Sequence, residues 1–107
     1  MFEGCPHLDA RAFRSLDPAV VQLLDVREPW EFALASIPGA RLIPLGELAE
    51  RIGELDASRP VAAYCHHGMR SLQALRILQS SGFVDLAHLT GGIDAYSQVD
   101  PSVPRYR

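Results

Sequence analysis

Two short, nearly continuous apolar runs set the limits on this fold. "VVQLLDV" (20–26) and "PVAAYC" (60–65) are dominated by β-branched and other apolar residues and lack a polar alternation. A strand with one wet face reads as alternating apolar and polar residues, so a run without alternation is buried on both faces. Parallel sheets meet that condition, because their crossover connections lay helices over both sides. Pro60 opens the second run, where a strand tolerates proline.

The segments around these runs supply the helices. "LDARAFRSL" (8–16) suggests a short helix with Asp9 as N-cap. "EPWEFALA" (28–35) suggests a second, with Pro29 in its first turn. "IPGA" (37–40) is a turn, with "RLI" behind it as a short strand. "LGELAERIGEL" (45–55) places Leu45, Leu48, Ile52 and Leu55 at helical spacing. "RSLQALRILQSSG" (70–82) is the strongest helix. Leu72, Leu75, Leu78 and Ile77 form its apolar stripe, and Gly82 caps its end. "VDLAHL" (84–89) reads as a strand and "GGIDAYSQV" (91–99) as a turn into a short helix. The expectation is an α/β fold: a small, mostly parallel central sheet flanked by helices on both faces. One domain should span 1–107, with 1–7 a flexible N-terminus and 100–107 an irregular tail.

Composition narrows the function. With 48% hydrophobic and 21% charged residues, the 107-residue chain can bury a core and is not disordered. A net charge of −3 without a basic stripe disfavours nucleic acid as a partner. No apolar run is long enough to cross a bilayer, and no secretory signal is visible. Two cysteines, Cys5 and Cys65, are too few for a disulfide scaffold, which points to a reduced, cytoplasmic protein.

The chemistry gathers at "YCHHGMRSLQ" (64–73). Open parallel sheets bind ligands outside the carboxyl ends of their strands, and Cys65 stands at such an end. Its loop runs into the first turn of the strongest helix, where free N–H groups and the helix dipole favour an anion. Arg70 adds a full positive charge, and the segment holds no Asp or Glu to oppose it. These features favour the thiolate of Cys65, which is the nucleophilic form. Four residues separate Cys65 from Arg70. That is short for wrapping a phosphate and sufficient for a single added sulfur. Gly68 lets the loop turn sharply.

The sequence resembles the single-domain rhodaneses, the family of thiosulfate:cyanide sulfurtransferases and persulfide carriers. The resemblance rests on "LLDVREPWEF", "IPGARLIPLGEL", "YCHHGMRS", "LTGGIDAYS" and "VDPSVPRY", nearly the whole chain. It implies that Cys65 accepts sulfur and that His66, His67, Gly68, Met69, Arg70 and Ser71 form the active loop and bind substrate. It also implies that Asp25 and Arg27 support that loop; simple surface pairing is the plainer alternative. Ser36 and Tyr96 depart from the family, which often has His and Trp there.

The implied reaction moves a sulfane sulfur from thiosulfate or a similar donor, through a Cys65 persulfide, to cyanide, a thiol or a protein. No metal or organic cofactor is needed. The alternatives are a sulfur-carrier protein for a biosynthetic pathway and an arsenate or phosphate enzyme on the same scaffold. His66 and His67 read as pocket-mouth residues, since one contiguous Cys-His-His does not make a metal site. Cys5 reads as an exposed, idle thiol. Glu28, Trp30 and Glu31 read as helix-start and packing residues, and Gly91 and Gly92 as a turn.

Overall fold

The computed structural model describes residues 1–2 and 4–106. Glu3 and Arg107, which belong to the expected flexible N-terminus and irregular tail, lie outside the described residues. Among the described residues there are five strands: β1 (His7–Leu8), β2 (Gln22–Asp25), β3 (Arg41–Leu42), β4 (Val61–Tyr64) and β5 (Leu86–Leu89). Four α-helices accompany them: α1 (Ala10–Arg14), α2 (Pro29–Leu34) and α3 (Met69–Ser80) between strands, and α4 (Gly92–Val99) after the last. All strand pairs are parallel, in the order β1-β5-β4-β2-β3. The expected α/β architecture is therefore present.

The unbroken apolar character of β4 has a direct cause. Val61, Ala63 and Cys65 face one core, which contains Leu75 and Leu78 of α3. Ala62 and Tyr64 face the other, which contains Phe13 of α1 and Ile93 and Tyr96 of α4. Phe13 meets Tyr64 and Tyr96 edge-on, with ring centroids 5.9 and 6.3 Å apart. The small alanines let the covering layers approach the sheet closely.

Local signals place the helix ends. Asp9 accepts the Ala12 N–H at 2.8 Å and caps α1. At the far end of α3, the Gly82 N–H donates to Gln79 O and the Phe83 N–H to Leu78 O, both at 3.1 Å. This 5→2 and 6→1 pair needs a left-handed residue, which Gly82 supplies at φ +92°. Buried Phe83 then packs in the same core as Leu78.

One expectation needs correction. Residues 45–55 do not form one α-helix. They form two short 3-10 turns, Leu45–Glu47 and Ile52–Glu54. Gly46 and Gly53 lie inside the turns, and glycine in a helix interior costs about 1 kcal/mol relative to alanine. The segment still buries Leu48 and Leu55, which is what its apolar spacing encodes. In the N-terminal segment, His7 opens the edge strand β1. His88 N–H donates to Pro6 O at 2.8 Å, and Thr90 N–H to Leu8 O at 2.7 Å. Phe2 is buried, and its N–H donates to Asp85 at 2.7 Å.

The topology also fixes where a site can form. From β2 the chain moves outward to β3, then returns to the other side of β2 as β4 and continues to β5. The connections diverge between β2 and β4, so a crevice opens at their carboxyl ends. Asp25 and Cys65 lie there.

Leu78 is fully buried beneath the cap of α3. Leu78→Ala should lower stability by about 2–5 kcal/mol, read from the shift in urea midpoint.

Candidate active site

β4 delivers Cys65 to the crevice, and the chain then turns at once into α3. Gly68, at φ +113°, makes that turn. Its N–H donates to Cys65 Sγ at 3.0 Å, and the Ser71 N–H points to the same sulfur at 3.4 Å. The Ser71 hydroxyl lies 3.6 Å from Sγ. Convergent N–H groups of this kind hold negative charge at their focus.

The loop keeps this shape because its carbonyls are drawn the other way. Ile93 N–H donates to Cys65 O at 2.8 Å, and Asp94 N–H to His66 O at 3.2 Å. Both donors belong to the first turn of α4, whose N–H groups have no partner within their own helix. Gly92 is required at this junction. It sits at φ +65°, and a Cβ there would overlap the His66 carbonyl group and the Cys65 oxygen. The "GG" that reads in sequence as a turn is therefore the surface on which the Cys65 loop rests.

Arg70 is held in place by an acid. It forms two hydrogen bonds with Glu31, at 2.6 and 2.9 Å. The acid-free segment around Arg70 does not leave its charge unopposed, because Glu31 arrives from α2, 39 residues away in sequence. Glu31 also receives the Glu28 N–H at 3.1 Å and closes the capping box of α2. The Arg70 bonds, with help from the Glu28 N–H and the Tyr106 hydroxyl, overcome burial and hold the Glu31 carboxyl down to about 2. The same pairing raises the Arg70 pKa.

Asp25 and Arg27 are fully buried, so surface pairing does not describe them. Arg27 Nη2 donates to Asp25 at 2.6 Å and to Ala35 O at 2.6 Å. Burial opposes the Arg27 charge, and the hydrogen bonds and charge of Asp25 outweigh it, so its pKa rises. Neither residue contacts the sulfur. One link to the loop is Tyr106, whose hydroxyl accepts from Arg27 at 2.7 Å and donates to Glu31 at 2.8 Å; Arg27 also donates to the Glu31 carbonyl at 3.5 Å.

A family model for the rhodanese-like domain matches residues 10–99. The chain belongs to the rhodanese family. It is 33% identical to the thiosulfate sulfurtransferase GlpE of Pseudomonas aeruginosa, over 83% of this chain and 81% of that protein. It is 42% identical to the rhodanese-like/PpiC domain-containing protein 12 of Arabidopsis thaliana, over 79% of this chain and 30% of that protein. The chain thus spans less than a third of that larger plant protein. The crystal structure of a rhodanese-related protein from Thermoplasma volcanium superposes with a TM-score of 0.81 at 29% identity, covering 94% of this chain and 98% of that one.

In this rhodanese domain Cys65 is only 1% exposed, while Met69 and His67 point outward. His66 lies between. Its ring stacks on Tyr106 at 4.3 Å, and its Nε2 is 3.0 Å from the Tyr106 carbonyl. Burial, then the neighbouring His67, lowers the His66 pKa, which favours the neutral ring. The described residues of the tail, 100–106, form no helix or strand, and through Tyr106 the tail closes one wall of the site. No sequence pattern foretold Glu31 or Tyr106 in these roles. Their partners lie dozens of residues away.

The fold also brings Asp94 to His66 and His67, with ligand atoms all within 4.8 Å. Contiguous residues alone do not supply that third group. Asp94 is occupied, however, by Arg105 at 2.8 Å, and His66 Nε2 by the Tyr106 carbonyl. No helix among the described residues is long and apolar enough to cross a membrane.

Two substitutions test this construction. The folded Glu31 value lies below the ordinary 4.5, so the stability it contributes is present above about 4.5 and is lost as pH falls through about 2. Glu31→Gln should therefore be less stable by about 2 kcal/mol near neutral pH, allowing for screening at the partly exposed Arg70. Its stability should also fall less steeply with acid, as urea titrations in neutral and acidic buffers will show. Gly92→Ala should destabilise by about 2 kcal/mol or more and slow Cys65 alkylation, because the loop must move off α4.

Proposed function

We propose that this rhodanese domain is a sulfurtransferase that carries a sulfane sulfur on Cys65. The carrying observation is the pair of N–H groups, Gly68 at 3.0 Å and Ser71 at 3.4 Å, directed at Sγ. A cradle of two donors suits one added sulfur atom. A phosphoryl group brings three oxygens and needs a wider ring.

The reaction has two half-reactions. The Cys65 thiolate attacks the outer sulfur of thiosulfate. A new S–S bond forms, the old one breaks, and sulfite leaves with the electron pair. The persulfide stays near the loop N–H groups until a nucleophile attacks its outer sulfur. The acceptor then keeps that sulfur and Cys65 leaves as thiolate. Cyanide, a thiol or a protein persulfide acceptor satisfies the same chemistry.

The other loop residues act by position. Gly68 and Ser71 hold the charged sulfur. Arg70 presents a cation close to Cys65, fixed by Glu31, where an anionic donor approaches. His66, with Met69 and His67 at the exposed rim, narrows the approach to a buried sulfur, which favours small donors or a thin, extended group. Asp25 and Arg27 act through Tyr106, holding the wall against which His66 stacks. The scheme uses no cofactor, and a free thiol at its centre fits the reducing cytoplasm. The thiosulfate sulfurtransferase of Pseudomonas aeruginosa, which aligns over most of both chains, supports thiosulfate as the donor.

Intact mass after incubation of the reduced protein with thiosulfate tests the reading. The expected result is a gain of one sulfur atom, reversed by cyanide and absent in Cys65→Ser. A gain from a cysteine desulfurase plus cysteine, without one from thiosulfate, would make the protein a carrier. No gain from either source overturns sulfur transfer.

A further inference from the structure

A second set of groups reaches Cys65 through the Ser71 hydroxyl. The Ser71 hydroxyl, 3.6 Å from Sγ, is also 3.0 Å from His88 Nδ1. On the other side of that imidazole, His88 Nε2 is 2.8 Å from His7 Nδ1. Ser71 is fully buried and His88 is 5% exposed, whereas His7 is exposed on the edge strand β1. The chain Cys65–Ser71–His88–His7 is thus continuous from the buried sulfur to solvent. The sulfur-transfer scheme uses neither histidine.

We infer that Ser71, His88 and His7 form a proton relay that couples the ionisation of Cys65 to the exposed imidazole of His7. The hydrogen-bond chain has two directions. With the thiol, S–H points to Ser71 Oγ, the hydroxyl points to His88 Nδ1, and His88 Nε2–H points to His7 Nδ1. With the thiolate, every donor reverses and points toward the sulfur. Passing between them, the thiol proton moves to Ser71 Oγ as the hydroxyl proton moves to His88 Nδ1. The proton on His88 Nε2 moves to His7 Nδ1. His7 then carries a proton on each nitrogen and releases one from its exposed Nε2 to water. One thiol proton leaves, one proton reaches solvent, and no other group changes charge.

The surroundings suit this role. The Ser71 hydroxyl has Gly68 O at 3.1 Å as a second acceptor, so it can rotate without becoming unpaired. Burial, then His7, lowers the His88 pKa, which keeps the middle member neutral and able to pass a proton. The other titratable and charged groups near the relay lie at its two ends. Arg70 acts on Cys65 and is neutralised by Glu31. Exposed Arg76 of α3 lines the cleft beside His7, the Cys5 thiol lies 3.7 Å from His7 O, and Asp85 is held by the N-terminal amine.

Coupling of this kind is reciprocal. A charged His7 favours the thiolate, and the thiolate favours charged His7. The titration of the His7 ring, followed by NMR, should move by about half a unit or more between the reduced protein and Cys65→Ala, roughly a threefold change in proton affinity. His7→Asn keeps a side-chain N–H toward His88 but does not titrate. Its Cys65 alkylation rate should follow a single ionisation, where the unmodified protein shows a second inflection at the His7 midpoint. Superimposable alkylation profiles and an unmoved His7 titration would overturn the relay and leave the two histidines as an ordinary packing contact. Neither readout uses a sulfur donor, so their outcome is independent of whether Cys65 forms a persulfide.

Discussion

The hydrogen bonds from the first turn of α4 to the carbonyls of Cys65 and His66 are the constraint on which the site depends. A four-residue stretch of loop, 65–68, cannot choose by itself which way its peptide groups face. Once two carbonyls are drawn outward, the following N–H groups turn inward toward the sulfur. The donors of α4 would otherwise be unpaired, so the contact satisfies both partners. The absence of a side chain on Gly92 is what allows α4 to come this close. Sheet topology supplies the rest of the geometry, because β4 ends beside the place where connections diverge.

Around that loop the charges are arranged in pairs. Asp25 neutralises Arg27, Glu31 neutralises Arg70, and the Tyr106 hydroxyl joins the two. Burying a pair of ions is costly, and such a pair adds less net stability than its short distances suggest. Removing one member of a buried pair is worse, at about 3–5 kcal/mol, since the other charge is left alone. The network therefore acts mainly to hold a single arrangement. Arg27 anchors the end of α2 through Ala35 O, α2 carries Glu31, and Glu31 holds Arg70. The positive charge beside Cys65 is fixed in position and tempered in strength.

A second set of partners reaches the sulfur through the Ser71 hydroxyl. Ser71, His88 and His7 make a path of exchangeable protons, and β1 is the element that completes it. An edge strand of two residues contributes little burial of its own. Its pairing with β5 sets His7 directly opposite His88, and that register brings the two rings together. The sulfur thus has a fixed cation, Arg70, near it and a chain of imidazoles behind Ser71.

Much of this was legible in the sequence, and the limits have physical causes. The runs at 20–26 and 60–65 imply a doubly covered parallel sheet, because only burial on both faces removes polar alternation. Asp9, Pro29 and Gly82 mark helix ends through local backbone chemistry, which depends on residues three or four apart. Cys65, Gly68, Arg70 and Ser71 stand close enough in sequence to be read as one loop. The 45–55 segment shows where local reading fails: apolar spacing registers which side chains are buried, and two glycines decide that 3-10 turns bury them. Glu31 opposite Arg70, Tyr106 between two ion pairs, and His7 against His88 are separated by 39, 75 or more, and 81 residues. The sequence by itself determined the layers, the strand that ends in the thiol and the loop that follows it, because those rest on periodicity and neighbouring residues. Only the tertiary structure decided what faces the thiol, because side chains that meet across a crossover connection leave no spacing for a sequence to display.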